Sequence, residues 1–129
     1  MRFMMIYKPA NTKDMEASVP PSQENIAEMA KFIGEMAKSG ILLATDGLQG
    51  SSKGARVRLS AGKVTVTDGP FAETKELIGG FAIVQLNSKA EAIELSKRFL
   101  KLAGDGETEI RQMHDVPAFV ANQAQAANT

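Results

Sequence analysis

Three carboxylates, one ammonium and a Gly-Pro corner fall within one short stretch, Asp68-Gly69-Pro70-Phe71-Ala72-Glu73-Thr74-Lys75-Glu76. Carboxylates that share a partly dry cleft raise one another's proton affinity, so Asp68 or Glu73 could serve as a general acid or base near neutral pH. Glu76 would join them, and Lys75 would hold an anionic group of a ligand. Two residues outside the stretch complete the candidate set: Tyr7, whose hydroxyl can face a cleft, and Arg56, whose guanidinium can reach the stretch from a neighbouring strand. The expected site is therefore Asp68 and Glu73 for catalysis, with Tyr7, Arg56, Asp68, Glu73, Lys75 and Glu76 for ligand binding. A structural reading of the same residues stands beside it. Pro70 fixes the corner, Asp68 accepts backbone amides of the turn, Phe71 plugs the core beneath it, and Glu73 opens a short helical turn as its N-terminal acid.

Other chemistries find few residues to carry them. Cysteine is absent, which removes thiolate nucleophiles, disulfides and thiolate metal sites together. No metal and no cofactor are expected: the one histidine, His114, stands beside Asp115, and adjacent residues on a strand point to opposite sides. His114 is read as a surface or interface residue. The loop Asp46-Gly47-Leu48-Gln49-Gly50-Ser51-Ser52-Lys53-Gly54 invites comparison with a phosphate-cradling loop, but Ser52 precedes the lysine where that motif has glycine, and Gly54 follows it where the motif has Ser or Thr. It is left as a flexible lid or an irregular connection. No serine sits in an elbow motif.

The elements that must position these residues can be read along the chain. Residues 2 to 7 form an apolar run ended before Pro9, the pattern of a strand covered on both sides. Residues 8 to 21 read as a mobile loop. Ser22 caps a helix whose inner stripe is Ile26, Met29, Ala30, Ile33, Met36 and Ala37, and Gly40 stops it. Residues 41 to 45 read as a second strand. Ala55, Val57 and Leu59, then Val64 and Val66, alternate with polar residues on either side of Ala61-Gly62, as in a β-hairpin. Gly79-Gly80, where a bulge or close backbone contact is expected, lead into a buried strand at 81 to 86. Ser88 and Glu91 have capping-box spacing before a second helix lined by Ala92, Leu95, Phe99 and Leu102. A last strand is expected around Ile110.

Strand, helix, strand, inserted hairpin, strand, helix, strand: this order predicts an α+β ferredoxin-like sandwich with both helices on one face of an antiparallel sheet. Residues 1 to 117 are expected to form the domain and 118 to 129, rich in Ala, Asn and Gln, a flexible tail. Because the strands at 2 to 7 and 81 to 86 are apolar on both faces, the uncovered face predicts a homodimer joined through its sheets. Fifteen basic residues cancel fifteen acidic ones, so neither nucleic acid nor a membrane surface is an expected partner. The first apolar run is too short for a signal peptide or a membrane span, and with no cysteine a cytoplasmic location is expected.

The Asp68-Gly69-Pro70-Phe71 motif, followed by Glu73, Lys75 and Glu76 and then Gly79-Gly80-Phe81, resembles the DGPF-domain branch of the YCII-related proteins. The resemblance runs from about residue 2 to residue 115 and takes in Gly40-Ile41-Leu42-Leu43, Gly47-Leu48 and Glu109-Ile110-Arg111. It implies a dimeric α/β barrel of ferredoxin-like subunits with a cleft near the interface. It also implies a possible association with sigma factors, beside which branch members are often encoded, and a few relatives act on chlorinated aromatic compounds. Many members carry a His and Asp pair. Where the histidine is expected, near the start of the first helix, this chain has Gln23, Glu24 and Asn25. The chemistry of that pair is therefore not carried over. Two functions remain: a small dimeric small-molecule-binding or regulatory module, and a cofactor-independent enzyme acting on a small molecule, aromatic ones included, by carboxylate acid-base chemistry.

Overall fold

A computed structural model of the chain describes residues 1–17, 19–72 and 77–115. Alternation along the first strand sets the architecture: in β1 (Arg2–Pro9), Phe3 and Met5 are buried while Arg2, Met4 and Ile6 face the other way and are only half-buried. Successive strand side chains project to opposite faces, so one face of β1 belongs to the core. The chain continues through α1 (Thr12–Glu16), α2 (Gln23–Lys38), β2 (Leu42–Gly47), a 3-10 turn at Ser51–Lys53, β3 (Ala55–Ser60), β4 (Lys63–Asp68), β5 (Gly80–Gln85), α3 (Lys89–Ala103) and β6 (Gly106–Gln112).

Four strands form one antiparallel sheet in the order β2-β5-β1-β6, and β3 pairs only with β4. That order, with α2 and α3 as crossovers, is the ferredoxin-like arrangement. The register opposes Phe3 to Val84 and Met5 to Ala82 and Ile110. Met36 from α2 and Ala92 and Leu95 from α3 close over this face, and Phe3, Met5, Val84 and these three form one buried cluster. Phe3 and Val84 are each 1% exposed. Burying a side chain of this size contributes about 1.5–3 kcal/mol, so this cluster, rather than helix propensity, fixes both helices to the sheet.

The helix boundaries follow their capping residues. Ser22 Oγ accepts from the Asn25 amide and Ser88 Oγ from the Glu91 amide, both at 3.2 Å. The Glu91 carboxylate in turn accepts from the Asn87 amide at 2.8 Å. Past the last turn of α2, Gly40 adopts φ +81°, a left-handed conformation that side chains with a Cβ resist.

Three expectations from sequence are corrected. The segment 8 to 21 is not all loop: α1 forms there, its Asn11 cap accepting from the Asp14 amide at 3.2 Å. The inner face of α2 is Met29, Phe32, Ile33 and Met36, whereas Ile26 is 49% exposed and Ala30 and Ala37 face solvent. The stripe is rotated because α2 meets the sheet through Phe32, which lies between the two rows of the expected pattern. The hairpin forms as expected, but every residue of β3 and β4 is exposed, its apolar ones included. Residues 118 to 129, where the flexible tail was expected, lie outside the described residues.

Candidate functional site

Between α2, α3 and the sheet the core does not close. It leaves a cavity of about 220 Å³, lined chiefly by Met5, Met29, Phe32, Ile33, Met36, Val84, Leu95 and Phe99, with Tyr7, Thr45 and Thr108 as its polar side chains on the helix-covered face. A packed interior seldom holds a void larger than a water molecule. A cavity comparable to or smaller than this one holds benzene in other proteins. The space therefore fits a small ring with one or two substituents.

The end of the cavity at β1 and β6 is built with care for backbone approach. Tyr7 meets Phe99 edge to face, with ring centroids 5.2 Å apart and an interplanar angle of 82°. Gly106 makes this seat possible, since a Cβ there would lie 2.9 Å from Tyr7 Cε1 and 2.7 Å from the Lys8 carbonyl oxygen. Burial, and secondly the Asp105 carboxylate, raise the Tyr7 phenol above its ordinary value, so it stays protonated and available as a donor at neutral pH. Thr45 spends its hydroxyl proton on the Phe81 carbonyl at 2.8 Å. Thr108 Oγ1 is buried and has no partner among the described residues.

Of the expected site residues that are described, Tyr7 is the one that lines this cavity. Asp68 ends β4, exposed, and Arg56 lies on the opposing strand of the same hairpin. Glu73, Lys75 and Glu76 lie outside the described residues. Arg56 reaches the motif at its ring: the guanidinium carbon stands 4.0 Å from the Phe71 ring centroid. Phe71 is half-buried there and is not part of the buried cluster.

What organises the corner is a pair the sequence reading passed over. Glu16, at the end of α1, accepts from the Ser51 backbone amide at 2.7 Å and from the Ser51 hydroxyl. The same Ser51 oxygen accepts from the Phe71 amide at 2.9 Å. These bonds draw the Glu16 carboxyl below its ordinary range, the Ser51 hydroxyl contributing most. Gly69 donates its amide to the Gly54 carbonyl at 3.0 Å, and a Cβ on Gly69 would fall 1.7 Å from the Ser51 carbonyl oxygen. A Cβ on Gly50 would fall 2.5 Å from the Glu16 carbonyl oxygen. Three segments distant in sequence thus converge on Ser51, and the glycine-rich loop is an anchored connection. The signal that could have found this is the glycine pair itself, Gly50 and Gly69, each required where backbones touch.

The remaining features are quiet. His114 is exposed, and its carbonyl accepts from Arg2 Nη2 at 2.9 Å. Among the described residues no cluster of three or more His, Asp or Glu side chains is arranged to hold a metal ion. No helix of the described residues is long and apolar enough to cross a membrane.

Comparison with known proteins adds the following. A family model described as the YCII-related domain matches residues 1–116. An uncharacterized protein, R00369, of Rhizobium meliloti (strain 1021) is 46% identical over 43 residues, a match that spans 33% of this chain and 35% of the relative. Among solved structures, the 5-chloro-2-hydroxyhydroquinone dehydrochlorinase of Burkholderia phenoliruptrix AC1100, in complex with 2,5-dihydroxybenzoquinone, aligns over 88% of this chain and 94% of its own with a TM-score of 0.46 and 16% identity.

Proposed function

The chain belongs to the YCII-related domain family, and we propose that it acts as a small-molecule-binding module whose ligand occupies the cavity between α2, α3 and the sheet. The observation that carries this reading is the cavity itself. An open space of about 220 Å³ in the core of a 129-residue chain forfeits packing that a few larger side chains would supply. Its lining is apolar with few polar groups, the usual makeup of a ligand site. Acid-base catalysis by Asp68 and Glu73 would need those carboxylates at the ligand, and Asp68 does not line the cavity.

The reading includes a second copy of the chain. Val57, Leu59, Val64 and Val66 are 61–71% exposed on one hairpin, and a two-stranded hairpin is marginal by itself in water. Met4, Ile6 and Ile83 lie half-buried on the sheet face turned away from the helices. A homodimer across that face would cover both. Sedimentation at micromolar concentration is expected to give a dimer in the wild type and a monomer in Leu59→Lys; a monomeric wild type removes this part of the proposal.

A thermal-shift screen of small neutral molecules, acids, phenols and divalent ions tests the binding role, since a ligand held only by the folded state raises the melting temperature. Selective stabilisation by ring-sized molecules is expected. A screen in which nothing of that size stabilises the protein contradicts it.

A further inference from the structure

Met36 and Leu95, which wall the cavity, also line a second depression. This open groove of about 550 Å³ lies at one end of the sheet, where α2 gives way to β2 and β5 to α3. Ile41, Leu86 and Ala90 complete its apolar floor. Backbone bonds tie this end together: the Gln85 amide donates to the Ile41 carbonyl at 2.8 Å, and the Leu86 amide to the Met1 carbonyl at 2.9 Å. Ile41 and Leu86 pack against the buried cluster but are only half-buried themselves, so the core has an uncovered edge here.

The charges around the groove are already engaged. Glu91 lies in the first turn of α3, at the positive end of that helix, and accepts from the Asn87 amide at 2.8 Å. Glu94 pairs with Lys97 at 2.8 Å, and Arg98 faces Glu35 at 3.8 Å and the Phe32 ring at 5.0 Å. A charged occupant would find no opposite charge waiting for it, whereas an apolar one would cover the floor.

The chain itself carries such a segment close by. Strand β6 finishes at the same end of the sheet, where the Met113 amide donates to the Arg2 carbonyl at 2.8 Å and Arg2 Nη2 to the His114 carbonyl at 2.9 Å. Asp115 is the last described residue, and Val116-Pro117-Ala118-Phe119-Val120-Ala121 follows it; residues 116 to 129 contain no charged side chain. Only β1 separates β6 from β5, a distance of about 10 Å at the usual strand spacing. The residues from Asp115 to Phe119 span up to about 13 Å, enough to reach the edge of the groove at Leu86.

We propose that residues 116 to 121 of the same chain occupy this groove, with Phe119 and Val120 set on Ile41, Leu86 and Ala90 and backing the Met36 and Leu95 wall of the cavity. A docked segment thus begins where a flexible tail was expected. The proposal does not depend on what the cavity binds.

Nuclear Overhauser spectra of the full chain, labelled at methyl groups and phenylalanine rings, test it. Cross-peaks are expected from the Phe119 ring to the Ile41, Leu86 and Met36 methyls. Phe119→Ser should shift those three methyls and leave in place that of Met29, which lines the cavity but not the groove. It should also lower the melting temperature by about 5 °C. Mixing labelled with unlabelled chains separates two sources of the segment: cross-peaks within one molecule support the assignment, and cross-peaks only between molecules would overturn it in favour of a second copy's tail. Absence of the cross-peaks, or a Phe119→Ser variant with unmoved methyls and melting temperature, would also overturn it and leave the groove to a separate partner.

Discussion

The corner at Asp68–Ala72 and the cavity under α2 and α3 are the two regions where chemistry could reside, and they are built in opposite ways. At the corner, several polar groups are engaged with the protein itself: Ser51 with Glu16 and with the Phe71 amide, Gly69 with Gly54, Arg56 over the Phe71 ring. In the cavity polar side chains are few and neutral on the helix-covered face, and the hydroxyls of Tyr7 and Thr108 have no hydrogen-bond partner among the described residues. Polar groups already paired with each other hold a fold together, while unpaired ones in a dry space are available to a ligand. The corner is therefore a place where segments distant in sequence are fastened.

This contrast predicts that variants of the two regions separate stability from binding. The largest effect is expected for Gly69→Ala, whose new Cβ would lie 1.7 Å from the Ser51 carbonyl oxygen, a backbone atom that cannot yield locally. Overpacking of this kind costs about 3 kcal/mol, a fall of roughly 10 °C in melting temperature for a domain of this size. Ligand affinity measured below the transition should be retained; a parallel loss of affinity would make the corner part of the site.

Ala82→Leu is the reciprocal variant. Ala82 lines the cavity, and three added carbon atoms fit within its 220 Å³. Calorimetric affinity for ring-sized probes is expected to fall at least about tenfold, as lost space cannot be regained in a close-packed interior, with the melting temperature unchanged or raised. Undiminished binding would place the ligand elsewhere.

The smallest effect belongs to Glu16→Gln, and it depends on pH. The Glu16 carboxyl titrates below its ordinary value in the fold, chiefly because the Ser51 hydroxyl donates to it. A lowered folded value means the stabilisation is complete above the unfolded value and disappears as pH falls through the folded one. The wild type should thus lose this contribution on the acid side, whereas Glu16→Gln lacks the ion throughout and shows a flatter acid limb in urea midpoints. Glu109, lowered chiefly by its Lys8 hydrogen bond and then by Arg111, titrates alike in both proteins and gives the common background. Identical acid limbs would mean that Ser51 does not hold the Glu16 anion in solution.

Much of the fold was legible because local signals agreed with the global arrangement. The apolar runs in β1 and β5, the Ser22 and Ser88 caps, Gly40 and the Ala61-Gly62 turn each occur where the chain requires them. Helix α1 was not legible, since five residues are too few for a periodic stripe and its end is held by a bond to Ser51. Phe32 was missed in favour of Ile26 because both fit a helical stripe, and only the sheet decides which row faces inward. Of the candidate residues that are described, Tyr7 is the one that lines the cavity. Thr108 looks like any strand threonine until the register sets it opposite Tyr7, and the cavity is a property of α2, α3 and the sheet together.

The methionines offer the most direct test of where the ligand sits. Met5, Met29 and Met36 line the cavity, whereas Met15 Sδ lies near Gly79 on the side of α1, 3.2 Å from where a Cβ there would be. In a protein labelled at the methionine methyl groups, titration with cyclohexyl methyl ketone is predicted to shift the resonances of Met5, Met29 and Met36 and to leave Met15 in place. Shifts at Met15 with the three cavity methyls unmoved would contradict the account.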